Sequence, residues 1–407
     1  MNRPRSSQTS MLSAEMRRSL LVWFRRNRAR LPWRENRNPY RVWVSEVMLQ
    51  QTRIAAVIPY YKRFLREFPT VGKLARSRRE RVLKFWAGMG YYRRAENLHR
   101  AARILVRRHG GKFPSDFEKA TALPGIGDYT ARAILSIAYK RPLAVMDGNV
   151  ARVVSRLDRL SGNPSDSSFQ SAVGERLDAL LSRREPGNFN QAIMELGQTV
   201  CLPRSPHCPR CPLRRYCAAY HFGDAKRFPA RRRRPESRRV YLASLVFRSG
   251  SRVLMVRGLE DGLLAGLWNF PSTFGNNRKE ALHRLRKRVA KSVGRRLSRE
   301  APIASLEHHI TFRKIRVDIY QARTDKRMSA NPSRWMELKT LRGAAVSALA
   351  RKVACVAVER DRKLSGVVAR KWMRVGRSPA TMAWSKGNGK MSGNGRVGRS
   401  QNHPVHR

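Results

Sequence analysis

The sequence predicts a multidomain chain: an all-α first domain, an α/β second domain and a disordered basic tail. Three observations predict it. From Ala14 to about Tyr220 apolar residues recur at helical spacing; after Cys217 they alternate at strand spacing; beyond about Glu359 no hydrophobic period survives. At 407 residues the chain is long enough for two or three domains of the usual ~100–200 residues each.

In the first domain, Leu20, Val22, Trp23 and Phe24 mark one amphipathic stretch, and Val42, Val44, Val47, Met48 and Leu49 mark a second from Tyr40 to Ile58. Arg94–Arg108, Tyr129–Tyr139, Val150–Leu160 and Phe169–Ser182 repeat the spacing, with Phe113-Pro114, Leu123-Pro124-Gly125 and Glu185-Pro186-Gly187 as punctuation. Arg227 to Arg239 holds the run Arg231–Arg234 and reads as an exposed basic linker. Val240–Phe247 and Arg252–Arg257 flank Ser249-Gly250-Ser251 as a hairpin, and Arg313–Tyr320 alternates again. No acidic residue follows Asp361, and Ser385 to Arg407 is dominated by Gly, Ser, Asn, Lys and Arg. Such a composition does not bury enough apolar surface to fold. The expected boundaries are a helical domain at 14–225, a linker at 226–239, a second domain at 240–357 and a tail at 358–407.

Charge narrows the partner. The chain carries 86 Lys and Arg against 28 Asp and Glu, a net +58. A surface so one-sided repels itself and calls for a polyanion, DNA or RNA first. No apolar run reaches the ~18 residues a spanning helix needs, and Met1–Ser13 has no apolar core of a secretory signal. A cytoplasmic, DNA-associated monomer is expected.

Four of the five cysteines, Cys201, Cys208, Cys211 and Cys217, form C-x6-C-x2-C-x5-C. Four thiolates on one short loop suit tetrahedral zinc or a [4Fe–4S] cube. The unequal spacing, with Pro203, Pro206, Pro209 and Pro212 bending the loop, favours the cube; zinc stays open on spacing alone.

Three further strings carry chemistry. Leu123-Pro124-Gly125-Ile126-Gly127 joins two helical stretches. Its glycines permit positive φ and let backbone N–H groups approach a phosphate, or form a plain tight turn. Glu46 sits among Val44, Val47, Met48 and Leu49, and helical spacing puts Gln50 one turn further on the same face. An acid with apolar neighbours holds its proton, as a general acid must. Asp147 precedes the next helical stretch, where an ionised carboxylate is favoured. One protonated and one charged carboxyl is the division of labour that cleaves glycosidic bonds. A satisfied buried Glu and an ordinary helix cap are the plainer readings of the same two residues.

Taken together these strings resemble the MutY-type adenine DNA glycosylases of the helix-hairpin-helix superfamily. The resemblance rests on Leu31-Pro32-Trp33-Arg34, Ser45-Glu46-Val47-Met48-Leu49-Gln50-Gln51-Thr52, Gly88-Met89-Gly90-Tyr91-Tyr92, the glycine hairpin, Asp147-Gly148-Asn149-Val150, Met194-Glu195-Leu196-Gly197 and the four cysteines, and runs to about Lys352. It implies a helix-hairpin-helix glycosylase domain, with a six-helix barrel from about Pro39 to Val145 and an iron–sulfur module built from the N-terminal helix and the segment after Asp147. A Nudix-like domain follows, legible in Gly262-Leu263-Leu264-Ala265-Gly266-Leu267-Trp268-Asn269-Phe270-Pro271. The implied activity is monofunctional excision of adenine paired with 8-oxoguanine or guanine in double-stranded DNA, during base-excision repair.

The resemblance also implies roles. Glu46 protonates adenine at N7 and then handles the attacking water; Asp147 stabilises the sugar cation; Tyr129 and Asn149 line the same site and Glu195 supports it. Trp33, Arg34 and Leu49 form the pocket for the extruded base. Gln50 and Tyr91 wedge into the duplex, and Gln51, Thr52, Gly125 and Gly127 join the DNA-contacting set. The four cysteines hold one [4Fe–4S] cluster. Endonuclease III resembles the first half, but it uses a catalytic lysine where this chain has Tyr129, so strand cleavage is not expected. The second domain shows a departure. The family's Phe-Ser-His loop is replaced by Ile310-Thr311-Phe312, which leaves Thr311 to meet 8-oxoguanine. Phe274 to Gly294 contains only Glu280, too few acids for a nucleotide-hydrolysing metal site. His308 and His309 read as sheet surface.

Overall fold

The computed structural model describes residues 5–230, 237–259, 264, 266–293, 301–310, 312–323 and 333–365. The chain forms two compact units, Met1–Ala354 and Cys355–Arg407. Among the described residues the first unit opens with the α-helices α1 (Arg5–Asn27), α2 (Pro39–Leu49), α3 (Ile54–Glu67), α4 (Val71–Arg76), α5 (Arg79–Trp86), α6 (Arg93–Arg108), α7 (Phe117–Thr121), α8 (Asp128–Tyr139), α9 (Gly148–Leu157), α10 (Ser167–Leu180) and α11 (Pro186–Thr199). A short α12 (Ala218–His221) follows the cysteine loop.

These helices bury two separate cores. Residues of α2–α8 form one, in which Trp43, Phe64, Phe68 and Trp86 are fully buried. Aromatic rings tie it together, with Phe64 4.7 Å from Phe68 and 6.0 Å from Trp86, and Trp43 5.7 Å from Phe113. Truncating one such ring to Ala costs about 3–5 kcal/mol. The second core joins α1 to α9, α10 and α11 through Met16, Leu20, Phe24, Val154, Leu177 and Ile193. Residues 16, 20 and 24 are one helical stripe. Val22, counted with that stripe from sequence, instead faces solvent.

Tyr40 to Ile58, one stretch by its apolar spacing, is two helices. The chain leaves α2 at Gln50 and Gln51 takes φ +54°, before α3 begins at Ile54. The apolar residues repeat on both sides of the break, so the pattern cannot register it.

The remainder of the first unit is a seven-stranded mixed sheet: β1 (Arg238–Ser249), β2 (Arg252–Arg257), β3 (Trp268–Asn269), β4 (Ser272–Gly275), β5 (Ala304–Ile310), β6 (Arg313–Arg323) and β7 (Ser333–Glu337). β1 and β2 close the expected hairpin, pairing Ser249 with Arg252 around Gly250 at φ +56°. β1 then runs parallel to β6 from Arg238↔Arg313 to Arg248↔Arg323, and β5 lies antiparallel on β6. β1 thus starts within the stretch read as linker. The helix α13 (Arg278–Val293) covers one face, packing Ala281, Leu285 and Val289 on Leu245, Phe247 and Tyr320. Leu267 and Ala345 join the α2–α8 core, so the helical and sheet regions share apolar packing. A last helix, α14 (Ala348–Ser365), crosses into the second unit and continues past residue 358, where the sequence predicts a disordered tail.

Candidate active site

Where the two helical cores meet, a cavity of about 430 Å³ is lined by Trp33, Arg34, Glu46, Leu49, Gln51, Thr52, Tyr129, Asp147, Asn149 and Glu195. Leu31, Val42, Ser45, Arg53, Ile54, Ile137, Gln191, Met194 and Gln198 complete the wall. Side chains separated by more than a hundred positions therefore face one space, because α2 and α8 belong to one core and α9 and α11 to the other.

Glu46 projects from α2 and is 8% exposed. Burial lifts its carboxyl from the ordinary 4.5 to about 7; Arg34 opposes that rise and Asp147 adds to it. The direction follows from losing water around a charge with little to replace it. Asp147 is held differently. It caps α9, its Oδ1 accepting from the backbone N–H of Asn149 (2.8 Å) and Val150 (2.7 Å), while Oδ2 accepts from the Asn149 side chain (3.0 Å). Tyr129, in the first turn of α8, donates to the Met194 sulfur at 3.3 Å. Burial and then the charges of Glu46 and Asp147 push its phenol well above the usual range, so it stays a neutral donor.

Arg34 and Glu195 brace the opposite wall. Arg34 donates to Glu195 Oε2 at 2.6 Å and to Gln191 Oε1 at 2.9 Å, and Glu195 Oε1 accepts from the Ala29 N–H at 2.8 Å. Glu195 is thereby satisfied as a strut between α11 and the segment before α2. Gly197, two residues on, lets α11 touch α9: a Cβ there would meet Asn149 Cβ at 2.8 Å.

Other predicted residues lie elsewhere. The helical continuation that would carry Gln50 alongside Glu46 is absent; its amide donates to Thr130 Oγ1 at 3.1 Å, outside the cavity wall. Tyr91 is exposed on the loop before α6 at φ +47°. In the glycine turn only Gly125 needs positive φ (+80°); Gly127 is extended at φ −93°, caps α8 and has open space where a Cβ would sit. Thr311, the expected contact to 8-oxoguanine, lies outside the described residues. His308 is partly buried, and burial, Lys352 and His309 lower its pKa to about 4. Gln191, Met194 and Gln198 were not singled out from sequence. Their signal was available, since 191, 194, 195 and 198 share one helical face with Glu195.

None of the four cysteines of the C-x6-C-x2-C-x5-C loop is in a disulfide. Cys211 is lifted to about 12 and Cys217 to about 11, chiefly by burial, with backbone hydrogen bonds opposing the rise and the neighbouring thiols adding to it. Among the described residues, no three or more His, Cys, Asp or Glu side chains are grouped at metal-holding geometry. The donor chemistry nevertheless fits a cationic cluster: soft ligands crowd one loop and raise each other's cost of ionising. Arg156 donates to Cys201 Sγ at 3.2 Å and Arg152 to the Cys201 carbonyl at 2.9 Å. Arg152 also donates to Asn149 Oδ1 at 3.0 Å, which joins the cysteine loop to the Asp147 cap.

Comparison with known proteins gives two family matches: "HhH-GPD superfamily base excision DNA repair protein" over residues 44–178 and "NUDIX domain" over residues 243–354. The chain is 33% identical to an adenine DNA glycosylase of Rattus norvegicus, over 85% of this chain and 78% of that one. It is 33% identical to one of Mus musculus, over 83% and 76%. It is 36% identical to one of Arabidopsis thaliana, over 66% and 49%. With the rodent relatives matched over more than three quarters of their length, this chain belongs to the adenine DNA glycosylase family.

Proposed function

We propose that the protein is a monofunctional glycosylase that hydrolyses the N-glycosidic bond of adenine mispaired with 8-oxoguanine or guanine, in base-excision repair. One observation carries the reading: a carboxyl held protonated near neutral pH shares a nucleoside-sized cavity with a second, hydrogen-bonded carboxylate. About 430 Å³ falls within the range of small-molecule sites.

In this mechanism Glu46 donates its proton to N7 of the extruded adenine, so the base leaves neutral instead of as an anion. Carboxylate Asp147, fixed by three hydrogen bonds, faces the positive charge that develops on the sugar. Glu46, now ionised, takes the proton of the attacking water. Trp33 and Leu49 enclose the base, and Tyr129 and Asn149 hold the carboxylates' surroundings. Gln50 and Tyr91 fill the gap the base leaves, which offsets a few kcal/mol of lost stacking. Gly125 and Gly127 open the N-terminus of α8 to a phosphate. Tyr129 offers no amine for a Schiff base, so the strand is left intact.

Cys201, Cys208, Cys211 and Cys217 hold one [4Fe–4S] cluster in this reading, and when bound it supplies the cross-link that fixes their loop. Iron and sulfide content of the purified protein tests that directly. The division of labour follows 14–225 for excision, 226–239 as connector and 240–357 for reading the base opposite adenine, with Thr311 as its contact. The protein acts as a monomer on duplex DNA.

The test is single-turnover incubation with duplexes containing A:8-oxoguanine, A:G and A:T, resolved on gels with and without alkali. Breaks at adenine that need alkali are expected for the first two. Breaks without alkali contradict the monofunctional reading, and intact adenine in all three contradicts the whole of it.

A further inference from the structure

Arg94 is one cation among 86 Lys and Arg residues, and nothing in the sequence marks it. In the first turn of α6 it is half-buried and reaches back to α2. Its Nη1 donates to the carbonyls of Val47 and Met48 (3.0 Å each) and of Gln50. Its Nη2 donates to Thr52 Oγ1 at 3.1 Å and to the Gly90 carbonyl at 3.5 Å. The guanidinium also lies 5.3 Å from the Tyr91 ring and 5.5 Å from the Trp86 ring.

Two loops meet on this one side chain. α2 ends at Leu49, which leaves its last carbonyls without helical partners, and the guanidinium takes their place. Gln51, between two residues that Arg94 bonds, and Tyr91, whose ring it faces, are both non-glycine residues at positive φ (+54° and +47°). Such conformations cost of order 1 kcal/mol each and persist only where surrounding groups hold them. Burial lowers the Arg94 pKa to about 10, so the charge survives at neutral pH. Only a planar fork with several donors serves these acceptors at once; a lysine ammonium does not.

We propose that Arg94 is a positioning residue for base extrusion, clamping the Gln50–Thr52 loop and the Tyr91 loop so that Gln50 and Tyr91 enter the duplex as one unit. The inference rests on the excision reading above. A plain structural cap would affect every substrate alike. A positioning residue affects only substrates that must be opened.

The experiment compares Arg94→Lys and Arg94→Met with the wild type on two substrates under single-turnover conditions. One is an A:8-oxoguanine duplex; the other places the same adenine in an unpaired bubble, which needs little extrusion. 2-Aminopurine beside the target reports extrusion independently of cleavage, and thermal unfolding controls for folding. Arg94→Lys should slow duplex excision roughly 10- to 100-fold, the scale of an ångström-level misplacement. Its bubble excision should stay within about threefold of wild type, with a slowed 2-aminopurine rise. Equal losses on both substrates, or no loss on either, overturn the proposal. If Arg94→Met does not fold, Arg94→Lys, which keeps the charge but not the planar fork, carries the same comparison. A wild type that leaves adenine intact in both substrates overturns the excision reading and this inference together, an outcome distinct from equal losses in an active enzyme.

Discussion

Two carboxyls share one cavity yet sit on different halves of the helical domain, and the halves treat them in opposite ways. Glu46 belongs to the α2–α8 core, where burial dominates and lifts its pKa to about 7. Asp147 belongs to the edge of the other core, where two backbone N–H groups and an amide answer its oxygens. The lesson is that a carboxyl's surroundings depend on whether the water around it is replaced by hydrocarbon or by hydrogen-bond donors.

The sharpest way to break that contrast is Glu46→Gln, which keeps shape and removes the proton donor. Single-turnover excision should fall by roughly 10² to 10⁴-fold, the usual share of a general acid, while affinity for the mispaired duplex is kept. Asp147→Asn is the matching change on the other side. Its side-chain oxygen still caps α9, so stability should hold within about 1 kcal/mol, but excision should drop on the order of 10²-fold or more as the charge opposite the sugar is lost. Thermal melts and excision rates on the same preparations check both halves of that statement.

A third effect appears in stability. The folded-state pKa of Glu46 lies above its ordinary 4.5, so the folded protein binds more protons between pH 4.5 and about 7. Its contribution is therefore present in full below 4.5 and lost as pH rises through about 7. Glu46→Gln abolishes that loss, and denaturant titrations at pH 8 should find it more stable than wild type by up to roughly 3 kcal/mol. Equal stability of the two at pH 8 would show that burial does not govern this carboxyl. The smallest effect concerns the packing of α11 on α9 within the second core. Gly197→Ala puts a Cβ 2.8 Å from Asn149 Cβ and should cost about 1–3 kcal/mol in a melt.

Much of this was legible beforehand, for identifiable reasons. Glu46, Asp147, Tyr129 and Asn149 stand in short strings whose chemistry is local, and the cavity gathers all four. The α1 and α10 stripes were legible because each helix buries one face, whereas α9 is buried at every position from Val150 to Leu157. The break at Gln50–Arg53 was not, since Val47 and Ile54 continue an apolar pattern that carries no record of φ at Gln51. Gln191 and Gln198 read as ordinary solvated positions on a helix until α11 is packed against α8 and α9. Arg94 was invisible because charge alone cannot distinguish one arginine in so basic a chain. Leu267 entered the helical core only through tertiary packing between regions far apart in sequence. Helix α14 ran into the expected tail because a lost hydrophobic period does not by itself end a helix.

The central claim is that Glu46 enters the reaction carrying its proton. The pH profile of single-turnover adenine excision from an A:8-oxoguanine duplex tests it most directly. A rate that is level below about pH 7 and then falls close to tenfold per unit, with the fall absent from the residual rate of Glu46→Gln, is the predicted result. A rate that rises through pH 7, or a wild-type fall that Glu46→Gln retains, would contradict it.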